Sequence, residues 1–142
     1  MPVTVHPSLD GGPISRTSLS GLPQELAFSI EEYHERLNSV RKVMSESSVD
    51  VLVVHHPPNV FYLSGHQSFS MYEGECVILP LEGHPILITH PPEIGTALLH
   101  TWLDQVYGYC SHYGREEYQA VLLKEHGLDK MRIAIEKKSA AV

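Results

Sequence analysis

The feature that most constrains the fold is an alternation of helical segments and short apolar runs after residue 28. The first helix is predicted from Ser29, where a capping box with Glu32 is expected, because apolar residues then recur every three or four positions to about residue 47. Residues 49–54 follow as a β-branched run that is too apolar for a strand with one face in water. The sequence therefore predicts that a buried strand follows the first helix.

The rest of the chain continues this alternation. Asn59 is expected to cap a short helical turn over residues 60–63, and residues 76–81 and 85–89 predict a hairpin around Gly83. The remaining patterns predict a helix at residues 92–102, a strand at 106–109, a helix at 116–126 and a strand at 132–136. Helix crossovers join parallel strands, whereas tight hairpins join antiparallel ones. We therefore expect an α/β, three-layer sandwich with a mixed, mainly parallel sheet, one antiparallel hairpin and helices on both faces.

The first 28 residues differ from the rest, because they mix Pro, Gly and Ser with no sustained apolar period. We expect residues 1–28 to form a flexible N-terminal arm and residues 29–142 to form one domain. A chain of 142 residues that is 42% hydrophobic can bury a core without disulfide bonds. The isolated Cys76 and Cys110 are expected to be reduced, which favours a cytoplasmic location.

The charge pattern excludes several classes of partner. The formal net charge is −7 and the basic residues are scattered, so we expect no nucleic acid partner. No apolar run approaches the roughly 20 residues that a membrane span needs. The N-terminus also lacks the basic and then apolar pattern of a secretory signal, so we expect no membrane association.

Ten histidines raise the question of a metal site. His55, His56 and His90 each follow a predicted strand and precede a proline pair, and they would meet if the two strands ran in the same direction. The chain has no HExxH or Cys-x-x-Cys pattern, so we expect no metal ligands in this segment and keep the three histidines as an alternative. His112 could activate Cys110 as a nucleophile, although an ordinary loop cysteine is the simpler interpretation.

An aromatic segment follows the predicted helical turn. His66, Phe69 and Tyr72 fall on what should be a loop, and large side chains on loops often contact a ligand or another subunit. The alternative is that these side chains fold back onto the sheet. Both interpretations remain open on the sequence alone.

The run from residue 33 resembles the N-terminal domain of the creatinase, prolidase and Xaa-Pro aminopeptidase family, whose catalytic domain has the "pita-bread" fold. In that family a helix with an Arg-Leu pair leads to a strand near an Asp, then to an Asn and a Tyr-Leu-Thr/Ser-Gly turn. The matching residues here are Arg36, Leu37, Asp50, Asn59, Tyr62, Leu63, Ser64 and Gly65. The resemblance covers about residues 33–136 and implies a fold with a ribonuclease-H-like motif. Residues 101–104, 108–109 and 112–113 resemble the ectoine-hydrolase-like branch.

The resemblance implies a non-catalytic domain that covers the mouth of an active site, restricts the substrate and contributes dimer contacts. The residues expected at the substrate entrance are His66, Phe69, Tyr72 and Trp102. A C-terminal catalytic domain would hold two divalent metal ions (Mn, Co or Zn) and would hydrolyse Xaa-Pro peptide or small amide bonds. The expected partners are that domain, a second copy in a homodimer and the small peptide or amide substrate.

These 142 residues stop before such a catalytic domain would start, so we expect no cofactor in this segment and no activity from it alone. A free-standing small-molecule-binding or dimerisation module is the alternative.

Overall fold

The structure, a computed structural model, describes residues 13–15, 23–68, 75–109 and 115–137. The helices are α1 (Ile30–Glu46), α2 (Pro57–Ser64), α3 (Ile94–His100) and α4 (Arg115–Glu125). The strands are β1 (Pro13–Ser15), β2 (Val51–Val54), β3 (Cys76–Pro80), β4 (Ile86–Thr89), β5 (Gln105–Gly108) and β6 (Ile133–Ile135). A 3₁₀ turn, Pro91–Glu93, leads into α3. The predicted order of helices and strands after residue 28 is confirmed.

The described strands form one mixed sheet in the order β1-β5-β4-β3-β2-β6. Strand β3 is antiparallel to both β2 and β4, which confirms the predicted hairpin. Strand β5 runs parallel to β4, strand β6 runs parallel to β2, and β1 is antiparallel to β5. Strands β2, β4, β5 and β6 therefore end at the same edge of the sheet, which we call the carboxyl edge, and β3 begins there.

Two apolar layers cover the two faces of the sheet. Helices α1, α2 and α3 pack on one face, where they bury Leu37, Met44, Val60, Leu63, Ala97 and Leu98. Helix α4 packs on the other face, where Tyr118, Leu122 and Leu128 are buried. Alternate residues of β3 serve the two layers, with Val77 and Leu79 on the first and Cys76 and Ile78 on the second. The three-layer α/β sandwich is thus confirmed.

Helix α1 begins as the sequence predicts. The Ser29 hydroxyl accepts a hydrogen bond from the Glu32 amide at 3.2 Å. The Glu32 carboxylate pairs with Arg36 one turn later, so the first turn holds an i, i+4 ion pair in place of the reciprocal capping-box bond. Tyr33 and Met44 lie on the buried face of the helix.

Helix α2 begins earlier than predicted, at Pro57 instead of after Asn59. The two prolines start the helix because the first helical turn needs no backbone N–H donors and because proline fixes φ near the helical value. His56 is the N-cap, and Asn59 lies inside the helix. Gly65 ends the helix in the left-handed conformation with a φ of +77°.

Two parts of residues 1–28, which are expected to form a flexible arm, contact the rest of the described structure. Residues Pro13–Ser15 form the edge strand β1, which pairs with β5 through backbone hydrogen bonds and so requires no apolar period. The Gln24 side-chain amide donates to the Thr101 carbonyl at 2.9 Å, which ties the chain before α1 to the end of α3. The other residues before position 23 lie outside the described part of the chain.

Helices within residues 23–68, 75–109 and 115–137 are all too short or too polar to cross a membrane.

Candidate functional site

A buried polar cluster lies at the carboxyl edge, above β3 and β4. Its members come from the chain after α2, the residue before β3, the end of β4 and the 3₁₀ turn. They are His66, Ser68, Glu75, Thr89 and Glu93. We call them the His66 cluster. Open α/β sheets bind ligands at this edge, so its position makes the cluster a candidate functional site.

The imidazole of His66 is at the centre of the cluster. Its Nε2 lies 3.2 Å from Thr89 Oγ1, 3.3 Å from Glu75 Oε2 and 3.9 Å from Glu93 Oε2. The Ser68 hydroxyl donates to the Glu93 carboxylate at 2.7–2.8 Å. His66 is 0% exposed and Glu75 is 3% exposed, so both groups have left water almost completely.

Burial moves the two central pKa values in opposite directions. It lowers the pKa of His66 to about 4, and the nearby Glu93 carboxylate only partly opposes this shift. It raises the pKa of Glu75 to about 7, and the Glu93 charge adds to the shift. A backbone hydrogen bond from Ser68 opposes this rise in the pKa of Glu75. Among the described residues, His66 Nδ1 has no hydrogen-bond partner.

Gly65 allows the chain to enter the cluster. A Cβ at this position would lie 2.7 Å from the Tyr33 hydroxyl oxygen and 2.7 Å from the His100 carbonyl oxygen. Both the positive φ and the crowding therefore require glycine. After this turn the His66 amide donates to the Ser64 hydroxyl at 3.0 Å, which fixes the direction in which the imidazole enters.

The predicted substrate-entrance residues have different surroundings. His66 is buried in the cluster, whereas Trp102 is half-buried and donates from Nε1 to the Leu63 carbonyl at 2.7 Å. Phe69 and Tyr72 lie outside the described residues. A contact between any of the four and a substrate stays a prediction.

For the alternative metal site on His55, His56 and His90, the two strands run in the same direction as required. The side chains of His55 and His90, however, contact other groups. Strands β2 and β4 point in the same direction, with β3 between them. His55 Nδ1 lies 3.6 Å from a Glu136 carboxylate oxygen, and the His90 ring packs 5.4 Å from the Tyr109 ring. Over the described ranges, no three His, Cys, Asp or Glu side chains are grouped so as to hold a metal ion. The residues present therefore do not fit such a site.

The two cysteines have separate outcomes. Cys76 is buried in β3, as predicted for a core residue. Cys110 and His112 lie outside the described residues, so their pairing stays an alternative.

A second carboxylate, Glu136, lies at the carboxyl edge directly after β6. It accepts hydrogen bonds from the backbone amides of His55 at 3.0 Å and His56 at 2.7 Å, and from the Asn59 side chain. Partial burial opposes ionisation, but the hydrogen bonds from His56, Asn59 and His55 together hold the pKa of Glu136 below its ordinary value. This carboxylate fastens the end of β6 to the start of α2.

The opposite ends of β2 and β6 are joined by Asp50 and Arg132. The Arg132 guanidinium donates to both Asp50 oxygens at 2.9 and 3.0 Å, and its backbone amide donates at 3.0 Å. The guanidinium hydrogen bonds hold the pKa of Asp50 down at about 2. Two residues of the sequence resemblance thus hold β6 in place, since Asp50 holds it against β2 and Asn59 holds it against α2.

Arg36, another residue of the resemblance, also has a structural role. Its guanidinium lies 4.0 Å from the centre of the Phe28 ring and 4.6 Å from that of the Tyr62 ring. It also donates to the Tyr62 carbonyl at 3.1 Å. The side chain thereby joins α1 to α2.

Sequence reasoning missed the carboxylates of the site. Glu75 directly precedes an apolar strand, and Glu93 comes four residues after Thr89. The signal that the sequence offers for these carboxylates is an isolated acidic residue near the end of a strand. That signal becomes informative only with the strand order, which places the start of β3 beside the end of β4.

A sequence profile of the Creatinase/Prolidase N-terminal domain matches residues 36–142. The chain belongs to this family. The assignment made from the motif that begins at Arg36 is therefore confirmed.

Two curated proteins match this chain over part of its length. The chain is 38% identical over 90 residues to ectoine hydrolase from Halomonas elongata, which covers 62% of this chain and 23% of that protein. It is 35% identical over 54 residues to a hydrolase/peptidase from Sinorhizobium fredii, which covers 38% of this chain and 14% of that protein. The matches thus span about a quarter or less of the length of these relatives.

Solved structures share the fold at low sequence identity. An Xaa-Pro aminopeptidase from Streptococcus pyogenes has a TM-score of 0.63 at 19% identity, with 79% of each chain covered. The N-terminal domain of an X-Pro dipeptidase from the same organism has a TM-score of 0.56 at 15% identity, covering 72% of this chain and 99% of that one. A prolidase from Thermococcus sibiricus has a TM-score of 0.64 at 18% identity, covering 79% of this chain and 30% of that one.

Proposed function

We propose that this chain is the non-catalytic N-terminal domain of a metal-dependent hydrolase that cleaves Xaa-Pro peptide bonds or small amide C–N bonds. It covers the mouth of the active site, restricts substrate size and contributes contacts to a homodimer. The observation that carries the proposal is the family match over residues 36–142. The names of the relatives, an ectoine hydrolase and Xaa-Pro peptidases, support this class of reaction.

Catalysis is assigned to a separate C-terminal domain with two divalent metal ions, Mn, Co or Zn. The metals are proposed to be held by that domain and not by this chain. The contribution of this chain is the shape and polarity of the substrate entrance, and the chain alone is expected to be inactive.

The substrate entrance is placed at the connection between α2 and β3. Its described ends, Ser68 and Glu75, lie at the carboxyl edge, where open α/β sheets bind ligands. Phe69 and Tyr72 are proposed to contact the substrate, with Trp102 as a weaker contact. His66 is fully buried and supports the entrance from inside.

The first test is substrate selection by the full-length protein. We expect Phe69→Ala and Tyr72→Ala to raise kcat/KM for longer Xaa-Pro peptides relative to Xaa-Pro dipeptides by about tenfold, because a smaller side chain admits a larger substrate. Val121→Ala, on the exposed surface of α4, serves as the matched control and leaves the ratio unchanged. An unchanged ratio in both entrance variants contradicts the proposal.

The second test is the coding sequence after Val142. The proposal predicts a downstream segment with an Asp, Asp, His, Glu, Glu ligand set. A natural chain that ends near Val142, and that gains thermal stability with amino acids or dipeptides, would establish the free-standing binding module instead.

The third test is assembly. Exposed apolar side chains at Met131 and Ile135, on and beside the edge strand β6, offer a surface for the catalytic domain or a second subunit. Sedimentation of the full-length protein at micromolar concentration is expected to show a dimer, and a monomer contradicts the dimer proposal. We also propose a cytoplasmic location, where cysteines are kept reduced.

A further inference from the structure

His66 and Glu75 are titratable side chains buried side by side. Their side chains are 0% and 4% exposed, and His66 Nε2 lies 3.3 Å from Glu75 Oε2. The two residues are nine positions apart in the sequence, and the pair joins the chain just after α2 to the residue before β3. Their protonation states therefore affect how these two elements are held together.

Two other titratable groups in the described ranges act on the pair, and a third lies beside the Gly65 turn. Glu93, from the 3₁₀ turn, lies 3.9 Å from His66 Nε2. His100, at the end of α3, acts on His66 electrostatically. The Tyr33 hydroxyl of α1 lies against the Gly65 turn, and burial raises its pKa, so it stays neutral.

Glu93 is the acidic residue of the cluster whose side chain keeps some contact with solvent. Its carboxylate accepts hydrogen bonds from the Ser68 hydroxyl, and its side chain remains 14% exposed. An ionised Glu75 would add a second negative charge at a site that is closed to water. A cationic His66 would place a further charge there without a partner for Nδ1 among the described residues.

We propose that His66 and Glu75 form a neutral pair, with a carboxylic acid at Glu75 and an uncharged imidazole at His66. In mildly acidic solution the unfolded chain carries an imidazolium and a carboxylate. Folding then moves one proton from the imidazole nitrogen to the carboxylate oxygen, and the net number of bound protons stays constant. This inference concerns the fold and does not depend on the proposed hydrolase function.

The pair predicts a pH dependence in two opposed parts. Glu75 binds its proton more tightly in the folded state, so its contribution to stability falls as pH rises from 4.5 to about 7. His66 binds its proton less tightly in the folded state, so its contribution rises as pH rises from about 4 to 6.5. Between pH 4.5 and 6.5 the two contributions cancel in the intact protein.

The decisive experiment observes both groups in the intact chain at pH 5.5. We expect the nitrogen NMR signals of His66 to be those of a neutral imidazole, and an infrared band of a protonated carboxyl group to be present. The first signal disappears in His66→Gln and the second in Glu75→Gln. His84→Gln, at an exposed position in the hairpin, is the control and leaves both signals in place. An imidazolium at His66 with an ionised Glu75 overturns the proposal.

Urea unfolding between pH 4.5 and 6.5 gives a second measurement. Relative to the intact chain, the unfolding equilibrium constant of His66→Gln should rise about tenfold per pH unit, and that of Glu75→Gln should fall about tenfold per pH unit. The double variant should follow the intact chain. Flat profiles in both single variants overturn the proposal, because they show that burial does not shift either group. If a variant does not fold, the spectra of the intact chain still decide between a neutral pair and an ion pair.

Discussion

Glu75 and Glu136 are the same residue type at the same edge of the sheet, but their environments have opposite effects. Glu75 is 3% exposed, and burial raises its pKa to about 7. Glu136 meets two backbone amides and the Asn59 side chain, which lower its pKa. The comparison shows that burial and the supply of hydrogen-bond donors decide the charge of a carboxylate, whatever its position along the strand.

The two carboxylates also differ in what they do for the fold. Glu136 is satisfied and fastens β6 to β2 and α2, in the same way as Asp50 does at the other end of these strands. Glu75 lies instead in a cluster where His66 Nδ1 has no hydrogen-bond partner among the described residues, which costs free energy of folding. Perturbed titratable groups cluster at functional sites, so the His66 cluster is the better candidate for function.

The largest expected effect concerns the Gly65 turn, which leads the chain into the buried His66 cluster. Gly65→Ala should destabilise the chain by about 3 kcal/mol, because it adds the strain of a positive φ and a collision with Tyr33 and His100. The matched control is Gly127→Ala, which has a φ of +69° but meets no atom within 4 Å. It should cost about 1 kcal/mol. Urea unfolding of both variants measures the difference, and equal losses contradict the role of crowding at Gly65.

A smaller effect is expected at Glu136, whose carboxylate accepts three hydrogen bonds. Glu136→Gln should reduce the free energy of unfolding by about 2 kcal/mol at neutral pH, since it removes the charge that receives three N–H donors. The pKa of Glu136 is lowered on folding, so its contribution is present above pH 4.5 and is lost as pH falls through the folded value. Thermal unfolding at pH 7 and pH 3 should show a smaller difference between variant and parent at the lower pH. A difference that grows at pH 3 contradicts this account.

The smallest effect is expected at the Asp50–Arg132 pair, because it is open to solvent and screened by salt. Asp50→Asn should lower the melting temperature less than Glu136→Gln does. The difference from the parent should shrink further in high salt. A loss larger than that of Glu136→Gln would show that the pair, and not Glu136, is the main attachment of β6.

Local patterns in the sequence were enough to predict most of the elements. The capping serine and apolar spacing of α1, the apolar runs of β3 and β4, and the glycine between them are short-range signals. Strand β1 gave no such signal, because it pairs through its backbone and comes from a segment without apolar periodicity. The predicted start of α2 was too late, because prolines that follow a strand also suit the first turn of a helix.

The candidate site was only partly predictable for a related reason. His66 was identified as a loop residue, but its burial depends on the Gly65 turn and on Thr89, which is 23 positions away. The carboxylates of Glu75 and Glu93 become neighbours of His66 only when β3 and β4 lie side by side. Such long-range contacts are set by strand order, which local periodicity does not encode.

The comparison between the two carboxylates can be tested in one sample. A carbon NMR titration of the side-chain carboxyl groups, assigned with Glu75→Gln and Glu136→Gln, follows both residues in the intact chain. The structure predicts that Glu75 ionises near pH 7 and that Glu136 ionises below pH 4.5. Ionisation of Glu75 at or below pH 4.5 would contradict the account, because burial in the His66 cluster would then not control its charge.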